Sequence, residues 1–180
     1  MKKKNILVLI AVVLALLVIL PNLYIKGPWR GKVIDAETKR PIEGAAVVAV
    51  WHAELVHPAG AHTYFLDAKE VVTNNKGEFE IPTTWFVSIP FVRDAKGPYF
   101  TMFKPGYGSF PQHQVSPQHI PLYLFEGKGA VVELPKAKST FERTNYLTGP
   151  ESLDINVPPK KMPKLRALVK EENRFLGYGQ

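Results

Sequence analysis

The chain has 180 residues, 46% of them hydrophobic, with 16 Pro, 13 Gly and a formal net charge of +7, which suits one domain with accessory segments and no low-complexity tract. It has no cysteine, so disulfides, thiolate metal sites, a cysteine nucleophile and a lipoprotein acylation site are excluded. Lys2, Lys3 and Lys4 open the chain; removing them from the 23 Lys and Arg leaves 20 against 16 Asp and Glu, too mild a balance to imply nucleic acid, and no basic cluster interleaved with aromatics occurs.

After the three lysines, Ile6 to Leu20 is apolar without a break, and Leu23, Tyr24 and Ile25 extend it. Counted to Ile25 the stretch reaches the roughly 20 residues of a spanning helix, with Tyr24 and Lys26 placed like interfacial anchors. Only Gly27 is small between Leu20 and Pro28, so no small-residue cleavage site is present. The expectation is a signal anchor, a transmembrane helix over 1–26. The short basic tail favours a single-pass membrane protein with the rest on the exported, periplasmic or extracellular, side.

From Trp29 the pattern changes to short strands and turns. Trp29–Asp35 reads as a first strand. Between Glu37 and Gly44 lies turn chemistry, with Pro41 fixing φ and Gly44 free to take a positive one. Ala45 to Val56 is a long strand whose odd positions (Ala45, Val47, Ala49, Trp51, Ala53, Leu55) are all apolar, so period two places them in the core and His52 and Glu54 on the other face. After the loop His57–Ala61, residues 62–73 read as a return strand, Asn74–Gly77 as a tight hairpin turn and Glu78–Ile81 as a short strand. Residues 82–98 are less regular and carry Trp85, Phe86 and Phe91, which either cap the sandwich or form an aromatic platform for a partner. Tyr99–Lys104 reads as a strand, and Leu122–Phe125 with Ala130–Leu134 as a last hairpin. Beyond Pro135 strand signals fade. Met162, Leu165, Leu168, Val169 and Phe175 predict one amphipathic helix within 158–177, with Gly177 as its stop. The expected domains are thus 1–26, a β-sandwich over 29–135 and a C-terminal extension over 136–180.

Three segments share one pattern. The first holds Gly31, Val33, Asp35, Thr38, Pro41, Ile42, Gly44, Ala45 and Val47; the second Thr73, Gly77 and Phe79; the third Pro105, Gly106 and Tyr107. In this order they resemble the carboxypeptidase regulatory-like family. The resemblance spans roughly Trp29 to Leu134 and implies an all-β, antiparallel, prealbumin-like (transthyretin-like) β-sandwich of about seven strands. It also implies an accessory role beside a protein or glycan, with no shared catalytic residues.

Metallocarboxypeptidase chemistry needs H-x-x-E, and no histidine here has Glu three residues later. A G-x-S-x-G elbow, a phosphate loop and a dinucleotide fingerprint are absent. Residues Pro41 to Glu54, with Tyr64 after Gly60, are also similar to the opening of the intradiol dioxygenases. That likeness implies ferric iron on Tyr64, on Tyr99 or Tyr107, and on His113 and His119, although the family's closing H-x-H is broken by Pro121. The remaining candidate is His52, His57 and His62 around one hairpin, three imidazoles that could hold zinc or copper if they converge, with Glu54 beside them; otherwise they are solvated rim residues. The expected protein is a non-enzymatic, membrane-tethered binding module of the cell envelope that recognises a protein or glycan and needs no cofactor.

Overall fold

The computed structural model describes residues 3–20, 23–57, 60–87, 94–115, 120–127, 129–153 and 157–178. Helix α1 (Lys3–Ile19) is followed by strand β1 (Leu23–Lys26). Strands β2 (Trp29–Asp35), β3 (Ala46–His57), β4 (Gly60–Val72), β5 (Glu78–Ile81), β6 (Thr84–Val87) and β7 (Asp94–Phe103) come next. Then follow helix α2 (Leu122–Glu126), strand β8 (Ala130–Leu134) and helices α3 (Thr140–Tyr146), α4 (Thr148–Leu153) and α5 (Pro163–Phe175).

Two three-stranded sheets, ordered β5-β2-β8 and β4-β3-β7, face each other, and β1 pairs with β6 in a separate two-stranded ribbon. The sandwich expectation therefore holds at the level of layers, and its details change in four places. First, β2 and β8 run parallel, with Gly31 opposite Ala130 and Asp35 opposite Leu134, so the architecture is not wholly antiparallel. Second, Leu122–Phe125 is helix α2 rather than a hairpin arm: Pro121 opens it and Phe125, three residues after Leu122, turns into the core, a helical spacing. Third, the Asn74–Gly77 turn is not a hairpin. It carries the chain from β4 in one sheet to β5 in the other, with the Asn74 side-chain oxygen accepting from the N–H of Lys76 and Glu78 at 2.9 Å each. Gly77 has φ +73°, and a Cβ there would collide with the Val33 carbonyl, so the crossing needs glycine. Fourth, the expected span over 1–26 is divided: α1 stops at Ile19, and Leu23–Lys26, counted as its continuation, is a strand paired with Thr84–Val87. Among the described residues no helix is long and apolar enough to cross a membrane.

The motif residues of the first strand and turns are structural. Asp35, only 5% exposed, accepts the N–H groups of Glu37 and Thr38 at 2.9 and 2.8 Å. Burial pushes its carboxyl up, but those two N–H groups and the hydroxyls of Thr38 and Tyr107 outweigh it and hold the group below its ordinary value. The buried Thr73 hydroxyl donates to the Ile42 carbonyl at 2.7 Å and accepts from the Ala45 N–H at 2.8 Å. The polar side chains of Asp35, Thr73 and Tyr107 are thus occupied in tying the turns to the strands, which is what buried polar groups require.

The central strand β3 is buried on both faces. Ala45 just before it and its odd residues Val47, Ala49 and Trp51 belong to the core between the sheets, where Trp51 lies 5.3 Å from the Trp29 ring and 5.8 Å from Phe86, centroid to centroid. Its even residues Ala46, Val48 and Val50 belong to a second core with Phe103, Leu147, Val157, Met162 and Leu165. The C-terminal extension therefore covers the outer face of the β4-β3-β7 sheet. Helix α5 has no side-chain cap of its own. Instead Glu70 of β4 accepts the N–H groups of Lys164 and Leu165 at 2.9 and 2.7 Å, placing a carboxylate where the helix leaves unpaired donors.

Candidate functional site

The three candidate metal ligands are not gathered on one face. Paired residues on neighbouring strands share a face: His62 lies opposite Leu55 and His52 opposite Phe65. Leu55 and His52 are three residues apart on one regular stretch of β3, so their side chains point to opposite faces, and His62 follows Leu55. The His52 ring lies 5.6 Å from that of Tyr99, and burial lowers its pKa. His57 ends β3 opposite Gly60; its side chain lies outside the described residues. Among the described residues no group of three His, Cys, Asp or Glu is placed to hold a metal.

The iron-ligand candidates are also dispersed. The Tyr99 ring lies beside His52, whereas Tyr64 pairs with Ala53, the next residue of β3, so the two tyrosines are on opposite faces. Tyr107 is bonded to Asp35 and sits past the Phe103–Ala46 end of the sheet. Seven residues of β3 at about 3.3 Å each, some 23 Å, separate that end from Tyr64. His113 bonds through Nδ1 to the Ser109 hydroxyl at 2.9 Å, and burial lowers its pKa against an opposing bond from the Ser109 backbone. His119 lies outside the described residues. The Ser109–His113 pair has the groups of a nucleophile and a base, but Ser109 is fully buried and packed under Gly149, so no substrate reaches its hydroxyl.

Two surface grooves stand out among the described residues. The larger, about 760 Å³, is lined by the polar side chains of Arg30, Lys32, Asn74, Glu78 and Glu80 together with the apolar Val71, Val72, Phe79, Ala130 and Val131. Its charges answer one another: Arg30 bridges Glu80 at 2.9 Å with both side chains about half exposed, and Lys32 lies across from Glu78. Exposed pairs of this kind hold little energy, and this face is a solvated, charge-balanced sheet surface.

The smaller groove, about 450 Å³, has different chemistry. Strand β7 supplies Gly97, Pro98, Tyr99 and Phe100, the following segment Phe110 and Pro111, and α2 with its lead-in Ile120, Leu122 and Phe125. Phe100 stacks on Phe125 at 4.5 Å, and Phe110 meets Phe125 edge-on at 6.3 Å. Apart from the Tyr99 hydroxyl and the Gln114 amide the described lining is apolar, and no charged side chain is part of it. A concave, mostly apolar site with a few polar groups and a volume within about 300–1,000 Å³ is the usual form of a small-ligand pocket. The groove is tied to β1, the strand that follows α1 in the chain. Tyr24, on the strand that follows this helix, donates its hydroxyl to the Gly97 carbonyl at 2.7 Å. Burial pushes the Tyr24 pKa up, the Trp51 indole partly opposes this, and the charge of Glu126 on α2 adds to it. The Trp51 indole nonetheless falls outside hydrogen-bond geometry: Trp51 Nε1, like Trp29 Nε1, is buried with no partner among the described residues.

The β1-β6 ribbon carries one exposed aromatic, Trp85. Trp85 is 68% exposed and lies opposite Ile25, itself 57% exposed, across the β1-β6 ribbon. Phe86 instead turns inward against Tyr24 and Trp51, and Phe91 lies outside the described residues. Of the expected platform, Trp85 alone is shown on the surface.

No family model, no curated protein and no solved structure matches this chain.

The groove escaped the sequence reading because its walls come from three segments, β7, residues 110–111 and α2, that look like separate core pieces. The one local signal was the dense set of aromatic and proline residues at Phe110-Pro111 and in Leu122–Phe125, the latter read as a hairpin arm.

Proposed function

We propose that this chain is a membrane-held, non-enzymatic binding module of the cell envelope, with α1 in lipid and the sandwich at the exported surface. The observation that supports this most is α1 itself. Its apolar side chains stay exposed all round the helix, Leu7 at 67%, Val8 at 57%, Leu14 at 58% and Leu17 at 65%, and a helix that is apolar on every side belongs in an apolar medium. Seventeen residues at 1.5 Å each give about 25 Å, a little short of a hydrocarbon core of about 30 Å. The reading is therefore insertion of α1, with Lys3 and Lys4 at one end and Lys26 at the other in the headgroup zone. Exposed Trp85 and Ile25 lie opposite each other on the ribbon that follows α1 in the chain, and tryptophan suits the membrane interface. The resemblance to the carboxypeptidase regulatory-like family supports an accessory role beside a protein or glycan rather than catalysis.

Flotation tests it. Full-length chain mixed with vesicles of phosphatidylethanolamine and phosphatidylglycerol is expected to rise with them, and Leu9→Lys/Leu14→Lys to stay below with unchanged circular dichroism of its strands. Full-length chain left at the bottom of the gradient contradicts the reading.

A further inference from the structure

The register of the β1-β6 ribbon sorts its side chains into two unlike faces. Tyr24 and Phe86 are partners and point inward, where Phe86 meets the Trp51 ring at 5.8 Å. The flanking pairs, Leu23 with Val87 and Ile25 with Trp85, therefore share the outward face. All four are apolar. Ile25 and Trp85 are exposed, Leu23 and Val87 half-buried, and none of the four is part of either described core. We infer that this outward face of the ribbon rests in the headgroup zone of the membrane, as a second lipid contact that holds the sandwich against the surface in one orientation. This rests on the membrane reading of α1.

Chain length favours lipid as the occupant. Leu23 is four residues past Ile19, the end of α1, so at about 3.5 Å per residue it lies within roughly 14 Å of that end. With α1 inserted, the ribbon stays beside the bilayer at all times, and a contact that is weak by itself gains from that tethering. A second copy of the chain is the poorer occupant. A stable interface takes about 800 Å² and some 20–30 residues from each partner, and this face offers four side chains. Composition agrees with lipid: a tryptophan beside aliphatic side chains, with the exposed Lys26 ending β1, is the set that suits the boundary between hydrocarbon and phosphate. The inner face makes the contact orienting. Phe86 on Trp51 ties the ribbon to β3, and the Tyr24 hydroxyl, donating to the Gly97 carbonyl at 2.7 Å, ties it to β7. Seating the ribbon therefore seats the sandwich.

Tryptophan fluorescence of the full-length chain tests this, because Trp29 and Trp51 are fully buried and Trp85 is 68% exposed. The probe is phosphatidylcholine brominated on its acyl chains, either close to the glycerol or close to the methyl end, carried in phosphatidylethanolamine–phosphatidylglycerol vesicles. The Trp85 signal is the wild-type emission less that of Trp85→Phe. Bromine close to the glycerol is expected to quench that signal by roughly half or more, and bromine at the methyl end to quench it little. Leu14→Trp in the Trp85→Phe chain reports α1 separately and is expected to be quenched by methyl-end bromine. Ile25→Asp, an exposed substitution whose folding is established by its melting curve, is expected to lower the Trp85 quenching at least twofold and leave that of the α1 reporter unchanged. A quenched α1 reporter with an unquenched Trp85 overturns the ribbon inference and leaves the membrane reading standing. Quenching of neither overturns both. Trp85 shielded from aqueous acrylamide yet untouched by lipid bromine marks a protein contact and overturns the inference, as does Trp85 quenching that persists undiminished in folded Ile25→Asp.

Discussion

Glu172 of α5 and Arg143 of α3 form a two-pronged ion pair, with Arg143 Nε and Nη2 each donating to one carboxylate oxygen. Glu172 is 1% exposed, and one of its oxygens also accepts the Gly106 N–H at 3.2 Å. The pair therefore fastens two helices of the C-terminal extension to the turn that ends β7. Arg143 in turn lies 3.5 Å under the Phe175 ring, and the carboxylate raises its pKa, so it stays charged at any working pH.

Removing one partner of a buried pair strands the other. Glu172→Ala is expected to destabilise the protein by roughly 3 kcal/mol, the lower part of the range for buried pairs because Arg143 is partly exposed. Replacing both, as Arg143→Met/Glu172→Leu, is expected to be milder than Glu172→Ala. Urea unfolding monitored by tryptophan fluorescence measures both; a double variant weaker than the single one contradicts this account.

Leu165, 1% exposed in α5, packs in the second core on the outer face of β3. Leu165→Ala is expected to cost about 2–5 kcal/mol, the usual range for buried leucine. Deleting 136–180 bares Ala46, Val48, Val50 and Phe103 and is expected to give a lower melting temperature and self-association, read by scanning calorimetry and light scattering.

Asp35 sets part of the acid limit of stability. Its unfolded carboxyl titrates near ~3.9 and its folded one lies lower, so between those values the folded state binds fewer protons. The stabilisation is full above the unfolded value and is lost as pH falls through the folded one. Urea midpoints taken from pH 6 down to pH 2 are expected to fall less steeply in Asp35→Asn than in the wild type. Tyr107→Phe, which removes one donor to the carboxylate, is expected to move the loss to higher pH.

Much of the sandwich was legible, because period two in Ala45–Leu55 and the turn residues at Pro41, Gly44 and Asn74–Gly77 act locally. The two-sided burial of β3 is legible as well: Ala46, Val48 and Val50 are as apolar as Ala45, Val47 and Ala49, which is the mark of a strand covered on both faces. Helix α3 had its own sign in Ser139-x-x-Glu142. The Ser139 hydroxyl accepts the Glu142 N–H at 3.2 Å, and the Glu142 carboxylate reaches back to the Lys138 N–H, close to a capping box. The parallel pairing of β8 with β2 and the crossing at Gly77 had no local sign, since strand order depends on which sheet the chain joins next. The placement of the histidines likewise depends on register: His52, His57 and His62 are near in sequence, but the pairing of β3 with β4 puts His52 and His62 on opposite faces.

The account rests on α1 being held in lipid, and alkaline carbonate extraction of membranes from cells that make the full chain tests this most directly. The protein is expected to remain in the carbonate-washed pellet, and Leu9→Lys/Leu14→Lys to move into the supernatant as folded protein. Wild-type chain recovered in the carbonate supernatant, as readily as the double-lysine variant, would contradict it.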